Sequence, residues 1–234
     1  MTFVKEIKID YQAAIFDMDG LLLDTERVCQ QAFRDACYSL SLPFLEDIYL
    51  GIIGRNAQGI EAVLTAGYGN KIAYDILREA WMDRYHPIVN HQAIPVKKGV
   101  VELLQWLKEK NIPMAVATST PRDLAITKLK LSGILPYFEK LSTGCEVQYG
   151  KPHPEIFLLA AKRLQVSPEQ CLAFEDSNNG VSAAVAANMQ VYQIPDLVVP
   201  CARTVALGHR IVESLDIVHQ QLVRHTSITK GNKY

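Results

Sequence analysis

Short apolar runs alternate with helix-length amphipathic segments over most of the 234-residue chain. Five runs have the length of strands and end in polar residues: "AAIFD" at 13–17, "PMAVATS" at 113–119, "KLSTG" at 140–144, "CLAFED" at 171–176 and "QVYQIPD" at 190–196. Their apolar residues are consecutive, which is typical of strands buried on both faces. The pattern therefore predicts an α/β fold with a doubly wound, Rossmann-like parallel sheet.

Two segments between the strands have the residues of a helix start. In "TPRD" at 120–123 and "SPEQ" at 167–170, a hydroxyl residue precedes a proline. Thr120 and Ser167 would be the N-caps, with proline at the first helical position. The sequence thus predicts one helix from Thr120 and another from Ser167.

Residues 27–93 interrupt the alternation, because they show helical periodicity and no convincing strand. The interval is much longer than an ordinary crossover. We interpret it as a helical cap domain inserted after the first strand. The catalytic core would then comprise residues 1–26 and 94–234.

Composition and charge limit the classes of binding partner that we expect for this protein. Hydrophobic residues make up 49% of the chain, enough for a sizeable core. The formal net charge is −1, which gives no global electrostatic footprint for nucleic acid or an anionic membrane. The N-terminus lacks the pattern of a secretory signal, and no apolar stretch has the roughly 18 residues of a membrane span. We expect a cytoplasmic monomer that binds a small molecule.

The first strand ends in two carboxylates that repel each other. Asp17 and Asp19 would point to one side as long as the strand pleat persists, and Gly20 permits a sharp turn after them. Each acid could be a nucleophile, a metal ligand or a general acid. Taken alone, the pair is explained equally well as a solvated strand end followed by a turn.

Two further strand ends carry groups that suit an anion. Thr118 and Ser119 offer a hydroxyl and backbone N–H groups at a strand-to-helix turn, although helix capping is the simpler explanation of these two alone. Lys151 lies in a Gly-Lys-Pro turn that would direct its charge at a phosphate. A solubilising surface lysine is the alternative.

Glu175 and Asp176 end the fourth strand in "FEDSNNG". They are oxygen ligands of the kind that Mg²⁺ prefers, or Asp176 or Ser177 caps the next helix. Together the four strand ends bring acids, a hydroxyl and a lysine to one edge of the sheet. This set predicts Mg²⁺-dependent phosphoryl transfer, in which a cation and a phosphate offset the repulsion between the acids.

Four motifs carry a family resemblance: "DMDGLLLDTE", "VATST", "GKPHPEIF" and "FEDSNNGVSAAVAANM". They resemble the signature motifs of the haloacid dehalogenase superfamily, in its branch of phosphatases and phosphomutases with a helical cap. The resemblance extends over residues 13–196, and motif order, spacing and strand context agree. It implies a Mg²⁺-dependent phosphoric monoester hydrolase that acts on a small phosphorylated metabolite.

The resemblance also implies a role for each strand-end residue. Asp17 would be the nucleophile that forms an aspartyl-phosphate, and Asp19 the general acid that later activates water. Thr118 and the backbone of Ser119 would bind the transferring phosphoryl group, which Lys151 would neutralise.

The same resemblance implies the metal ligands. Asp17, Asp176 and the backbone carbonyl of Asp19 would hold Mg²⁺. Glu175 would be an additional contact to the metal or its water shell.

Substrate choice is expected from the cap. The segment "GIIGRNAQGIEAVL" at 51–64 resembles a specificity segment, with Arg55 either contacting the substrate beyond its phosphate or lying on the surface. Cys29 stands where beta-phosphoglucomutases tend to carry a histidine, which weakens the mutase interpretation. "EVQYGKPHPEIFLLAAKR" resembles the phosphatases that act on pseudouridine 5′-phosphate and similar monophosphates.

Two alternatives to the phosphatase stay open. One is a sugar-phosphate mutase, which would return the phosphoryl group to a sugar. The other is a receiver-type signalling switch, which also holds Mg²⁺ and an aspartyl-phosphate at strand ends. Asp19 and the insert at 27–93 argue against the switch, because it needs neither.

Overall fold

A parallel sheet of six strands forms the centre of the described part of the protein. The computed structural model describes residues 11–53 and 57–231, with the side chains of all of these except 57–58 and 225–231. In spatial order the strands are β3 (Lys140–Thr143), β2 (Met114–Thr118), β1 (Ala13–Phe16), β4 (Cys171–Glu175), β5 (Gln190–Gln193) and β6 (Arg210–Ile211). Every neighbouring pair is parallel, which confirms the predicted α/β fold.

Along the described part of the chain, five α-helices lie between β1 and β2, one α-helix lies between each later pair of consecutive strands, and one follows β6. They are α1 (Thr25–Ser39), α2 (Glu46–Ile52), α3 (Ala57–Tyr68), α4 (Tyr74–His91), α5 (Val100–Glu109), α6 (Arg122–Leu131), α7 (Glu155–Leu164), α8 (Asn178–Ala186), α9 (Ala202–Val205) and α10 (Leu215–Gly231). Over the residues that the structure describes, none of these helices has the length and apolarity to cross a membrane.

Both faces of the sheet are buried, as the consecutive apolar residues predict. Ala14 and Phe16 of β1 belong to a hydrophobic cluster that includes α5 and α10, whereas Ala13 and Ile15 belong to a second cluster that includes α7 and α8. Phe16 pairs with Val116 of β2 on one side and stacks on Phe174 of β4 on the other, with ring centroids 4.6 Å apart. The carboxyl ends of β1, β2 and β4 therefore lie side by side, and the residues after them meet at one edge of the sheet.

The helical insert has a hydrophobic cluster of its own. Phe33, Tyr49, Tyr68 and Trp81 from α1 to α4 are buried together, with the rings of Phe33 and Trp81 5.0 Å apart and edge to face. Among the described residues of 27–93 there is no strand. The division into a core domain and a cap domain stays a prediction.

The chain leaves the sheet for these helices and returns through adjacent segments. Leu23 pairs with Val96 in an antiparallel bridge, and the Asp24 N–H donates to the carbonyl of Pro95 at 2.9 Å. Helix α1 begins at Thr25, two residues earlier than the insert boundary expected from the pattern.

Three local expectations are corrected. Strand β6 has only two residues at the sheet edge, too few to leave an apolar run in the sequence. The helix expected from Ser167 is a single 3-10 turn, Pro168–Gln170, because the buried strand β4 begins at the next residue. Helix α6 has Pro121 rather than Thr120 at its N-cap, since the Thr120 side chain bonds elsewhere.

Candidate active site

Asp17 and Asp19 follow strand β1 and lie at the edge of the sheet formed by the carboxyl ends of the strands. Asp17 follows the strand directly, and its N–H donates to the Phe174 carbonyl of β4 at 2.9 Å. Gly20 then turns the chain with φ of +84°, and a Cβ at this position would lie 2.5 Å from Oδ2 of Asp176. Glycine is required here by both the backbone angle and the closeness of Asp176.

Asp17 lies among other acids on the β4 side of the edge. Lys151 Nζ donates to Oδ1 of Asp17 and to Oε1 of Glu175, each at 2.5 Å, and its side chain is 8% exposed. Carboxylate oxygens of Asp17, Glu175 and Asp176 lie within 4.8 Å of one another. Three acids thus lie around a single lysine, which is bonded to two of them, so the cluster has an excess of acidic groups over cations.

That excess is visible in the pKa values of the acids. Burial, followed by Glu175 and Asp19, raises the pKa of Asp17 to about 8, although Lys151 opposes the rise. Burial and the neighbouring acids also raise the pKa of Asp176 well above its ordinary value. A buried site in which the carboxyl groups of Asp17 and Asp176 both resist ionisation fits a hard divalent cation such as Mg²⁺, which would neutralise them.

Glu175 is held by donors on both of its oxygens. Beyond Lys151, the backbone N–H and hydroxyl of Ser177 donate to Oε2 at 2.9 and 3.0 Å. A Cβ on Gly180 would overlap with this carboxylate, so glycine leaves the room for it. Ser177 also accepts from the Gly180 N–H at 3.0 Å and is the N-cap of α8. The cap is therefore Ser177 rather than Asp176, whose carboxylate lies in the acidic cluster.

Asp19 lies among donors on the β2 side of the edge. The hydroxyls of Thr120 and Thr118 donate to its Oδ2 at 2.6 and 3.4 Å, and Lys128 Nζ donates to Oδ1 at 2.8 Å. Burial raises the pKa of Asp19, but Lys128 and the hydrogen bond from Thr120 outweigh burial and hold it below its ordinary value. The two acids that follow β1 therefore have pKa shifts in opposite directions.

Two of these donors were not assigned to the site from the sequence. The sequence pattern indicates a helix cap for Thr120, and Lys128 lies in the last turn of α6, a whole helix beyond the end of β2. The available signal for Lys128 is its place between Ala125 and Leu129 on the buried face of an amphipathic helix. A lysine there requires a partner, because burying an unpaired ammonium group is costly.

The structure brings Thr118 and Ser119 to the same edge. Thr118 is buried at the end of β2, and its hydroxyl accepts from the Thr120 N–H at 3.1 Å. The Ser119 side chain is exposed, and a Cβ on Gly144 would overlap with the Ser119 carbonyl. Arg55 lies outside the described residues.

A cavity of about 380 Å³ adjoins the acidic cluster. Asp176 and Ser177 line it together with Leu50 and Ile53 of the helical insert and with Glu26, which directly precedes the insert. Burial, then Asp19 and Asp196, raises the pKa of Glu26 to about 7. The size suits a small molecule.

Similarity to known proteins agrees with this geometry. The family model of the haloacid dehalogenase-like hydrolases matches residues 11–188. The chain belongs to this family. The family predicted from the four motifs is thereby confirmed for the hydrolase.

Three proteins show how the hydrolase relates to others. It is 36% identical over 183 residues to the phosphorylated carbohydrates phosphatase of Thermotoga maritima, covering 76% of the hydrolase and 82% of that protein. It is 35% identical over 191 residues to the "probable pseudouridine-5′-phosphatase" of Drosophila melanogaster, covering 78% and 80%. A Thermotoga maritima structure named "putative beta-phosphoglucomutase" is 30% identical with a TM-score of 0.76, covering 91% and 99%. The phosphatase relatives confirm the predicted enzyme class, a phosphoric monoester hydrolase.

Proposed function

We propose that this hydrolase is a Mg²⁺-dependent phosphatase that cleaves a sugar phosphate or a nucleoside monophosphate through an aspartyl-phosphate on Asp17. The observation that carries the proposal is the contrast at the end of β1, where Asp17 lies among acids and Lys151 while Asp19 lies among hydrogen-bond donors. The names of the Thermotoga and Drosophila relatives support the two substrate classes.

Asp17 is the nucleophile of the proposed reaction. One of its carboxylate oxygens forms a bond to phosphorus while the bond from phosphorus to the leaving oxygen breaks. Lys151 binds Oδ1 of Asp17, which fixes the orientation of the carboxylate. Its positive charge also lies where the phosphoryl group would carry negative charge.

Asp19 moves the proton in both halves of the reaction. It protonates the leaving oxygen in the first half and takes a proton from the attacking water in the second, when the aspartyl-phosphate is hydrolysed. The hydroxyl of Thr118 and the backbone N–H of Ser119 bind the phosphoryl oxygens. The hydrogen bond from Thr118 to Asp19 supports a common position for these groups.

Asp17, Asp176 and the backbone carbonyl of Asp19 would hold Mg²⁺. When bound, the ion neutralises the acids and the phosphate and lowers the barrier for attack by an anion on an anion. A direct contact between Glu175 and the metal stays a prediction. The hydrogen bonds of Glu175 to Lys151 and Ser177 support a role in positioning Lys151.

Cys29 supports hydrolysis over a mutase reaction. It lies in α1 at the position where beta-phosphoglucomutases tend to carry a histidine, and burial raises the pKa of its thiol to about 12. Such a thiol does not exchange protons near neutral pH, unlike an imidazole. The family match to hydrolases likewise argues against the receiver-type switch.

Phosphate release from a panel of monophosphates tests the proposal. The panel contains hexose phosphates, nucleoside monophosphates and pseudouridine 5′-phosphate, each with Mg²⁺ and with EDTA. We expect release that requires Mg²⁺ and favours one compound; no release from any compound would contradict the proposal. The cytoplasmic location, the monomeric state and the role of Arg55 stay predictions.

A further inference from the structure

Lys128 is a buried cation that the chemistry of the strand ends does not require. Its side chain is 3% exposed, although it belongs to a helix whose other charged residues are exposed, Lys130 among them. Neighbouring Ala125 and Leu129 would pack equally well beside an apolar side chain. Burial of the ammonium group at this position is therefore to be explained by what it contacts.

The first contact of Lys128 is the carboxylate of Asp19. Nζ lies 2.8 Å from Oδ1, while Thr120 and Thr118 occupy Oδ2. Each carboxylate oxygen thus has a donor, and the donors come from two different places, α6 and the end of β2. Charge-assisted bonds of this kind fix the plane of a carboxylate as well as its position.

The second contact of Lys128 is Tyr85 of α4, in the helical insert. The Tyr85 hydroxyl lies 3.4 Å from Nζ, and the ring centroid lies 5.8 Å from it, within the range of a cation–π contact. Lys128 consequently joins Asp19 at the sheet edge to the helix that covers it.

We infer that Lys128 is a positioning residue for the general acid, holding the Asp19 carboxylate toward the leaving oxygen. The inference rests on the proposed function. When Asp19 gives its proton to the leaving oxygen as the bond to phosphorus breaks, it becomes a carboxylate beside the ammonium group. When it later removes a proton from water, the bond between phosphorus and the Asp17 oxygen breaks, and Asp19 is neutral again.

The dependence of the rate on the leaving group separates this role from a structural one. A series of substituted phenyl phosphates changes the pKa of the departing phenol with little change in shape. With general-acid assistance, kcat/KM depends weakly on that pKa; without assistance, poor leaving groups become much slower than good ones. The value of kcat/KM depends only on the steps up to the departure of the leaving group. The later hydrolysis of the aspartyl-phosphate therefore does not affect it.

Lys128→Met is the test variant, and Lys130→Met on the exposed face of the same helix is the matched control. We expect Lys128→Met to lower kcat/KM by about 100-fold for the least acidic phenol and less than about threefold for p-nitrophenyl phosphate. Lys128→Arg keeps the positive charge, so its kcat/KM should depend less on the pKa of the phenol than that of Lys128→Met does. Lys130→Met should have the dependence of the parent protein.

Three results would overturn the inference. In a plot of log kcat/KM against the pKa of the leaving phenol, parallel lines for Lys128→Met and the parent would mean that kcat/KM falls equally for all phenols. That result would indicate a structural role. Coincident lines for the variant and the parent would show that Lys128 has no effect on Asp19 as the general acid. If the parent protein releases phosphate from no compound, the proposed function fails first, and that failure is distinct from the other two.

Discussion

Asp17 and Asp19 are two residues apart, yet the two sides of the sheet edge give them opposite surroundings. On the β4 side, Asp17 shares Lys151 with Glu175, and a carboxylate oxygen of Asp176 lies within 4.8 Å of theirs. On the β2 side, Asp19 accepts hydrogen bonds from Lys128 and from two threonine hydroxyls. The pKa of Asp17 is accordingly raised to about 8, whereas that of Asp19 is held below its ordinary value.

The difference separates two tasks that identical carboxyl groups can perform. An acid in an excess of negative charge attracts a cation and, once that cation is bound, is available as a nucleophile. An acid surrounded by donors is fixed in direction, which is the geometric requirement for a group that transfers a proton at one atom. Divergent environments of neighbouring acids are a general guide to their roles.

Asp17→Asn should have the largest effect on the reaction. Because an amide is a poor nucleophile, we expect kcat to fall on the order of 10⁴-fold or more. Turnover is measured as phosphate release with the preferred substrate of the panel. The same change at Asp24, whose carboxylate pairs with the exposed Arg27, is the control and should leave kcat within about threefold.

The stability of the Asp17→Asn variant tests the environment rather than the chemistry. A folded-state pKa raised from 3.8 to about 8 means that ionisation of Asp17 opposes folding, with a penalty that grows between those pH values. The metal-free variant should therefore be at least as stable as the parent, and its advantage should increase from pH 4 to pH 8. A variant that is less stable at pH 8 would contradict the excess of negative charge.

Compared with Asp17→Asn, the Asp19→Asn variant should lose less activity and more stability. Loss of general acid-base catalysis is expected to reduce kcat/KM by about 10² to 10⁴-fold. The buried Lys128 ammonium would lose its anionic partner, which should lower the free energy of unfolding by about 1–3 kcal/mol. Urea unfolding measures the second effect, with Asp24→Asn again as the control. Equal stability of Asp19→Asn and the parent would mean that the pair with Lys128 contributes nothing.

Mg²⁺ should stabilise the protein through the acids on the β4 side. At a concentration of 100 times Kd, a ligand of the folded state adds about 2.7 kcal/mol, or roughly 5–10 °C in Tm for a chain of this size. Asp176→Asn should lose most of this shift, and the exposed Glu109→Gln should retain it. A shift that survives in Asp176→Asn would place the ion elsewhere.

The sequence predicts the side of the site that depends on the strand ends. Asp17, Thr118 and Asp176 each follow an apolar run, and parallel strands bring such ends together whatever the loops between them do. From the sequence, Lys151 is expected at a strand end, but it lies in the loop between β3 and α7; its place between glycine and proline is what distinguishes it from other loop lysines. Strand order and register then put these side chains at one edge.

The donors around Asp19 are less evident in the sequence for a physical reason. Lys128 reaches the site from a helix face, and its partner Asp19 is 109 positions away, so no local pattern connects them. Thr120 satisfies the rule for a helix N-cap as well as any capping threonine does. Its actual partner, again Asp19, exists only once β1 and β2 are adjacent.

Glu146 provides the smallest test, because it is a strand-end acid with a lowered pKa and no part in the proposed reaction. It follows β3 and accepts hydrogen bonds from Arg163 at 2.9 Å and from the Thr143 hydroxyl at 2.7 Å. These bonds, with Arg163 the main cause, lower its pKa from 4.5 to about 2. Solvent screens the partly exposed pair, so Glu146→Gln should lower the free energy of unfolding by only about 1–2 kcal/mol near pH 7.

The pH dependence of the Glu146 effect has a definite sign. Because the folded-state pKa is depressed, the stabilisation is complete above pH 4.5 and disappears as the pH falls towards 2, where the parent and Glu146→Gln should converge. Glu139→Gln, an exposed change just before β3, should show no such convergence. Unchanged kcat/KM in Glu146→Gln would show that a lowered pKa at a strand end does not by itself identify a proton-transfer acid. A large loss of activity with intact stability would instead extend the reactive part of the edge to β3.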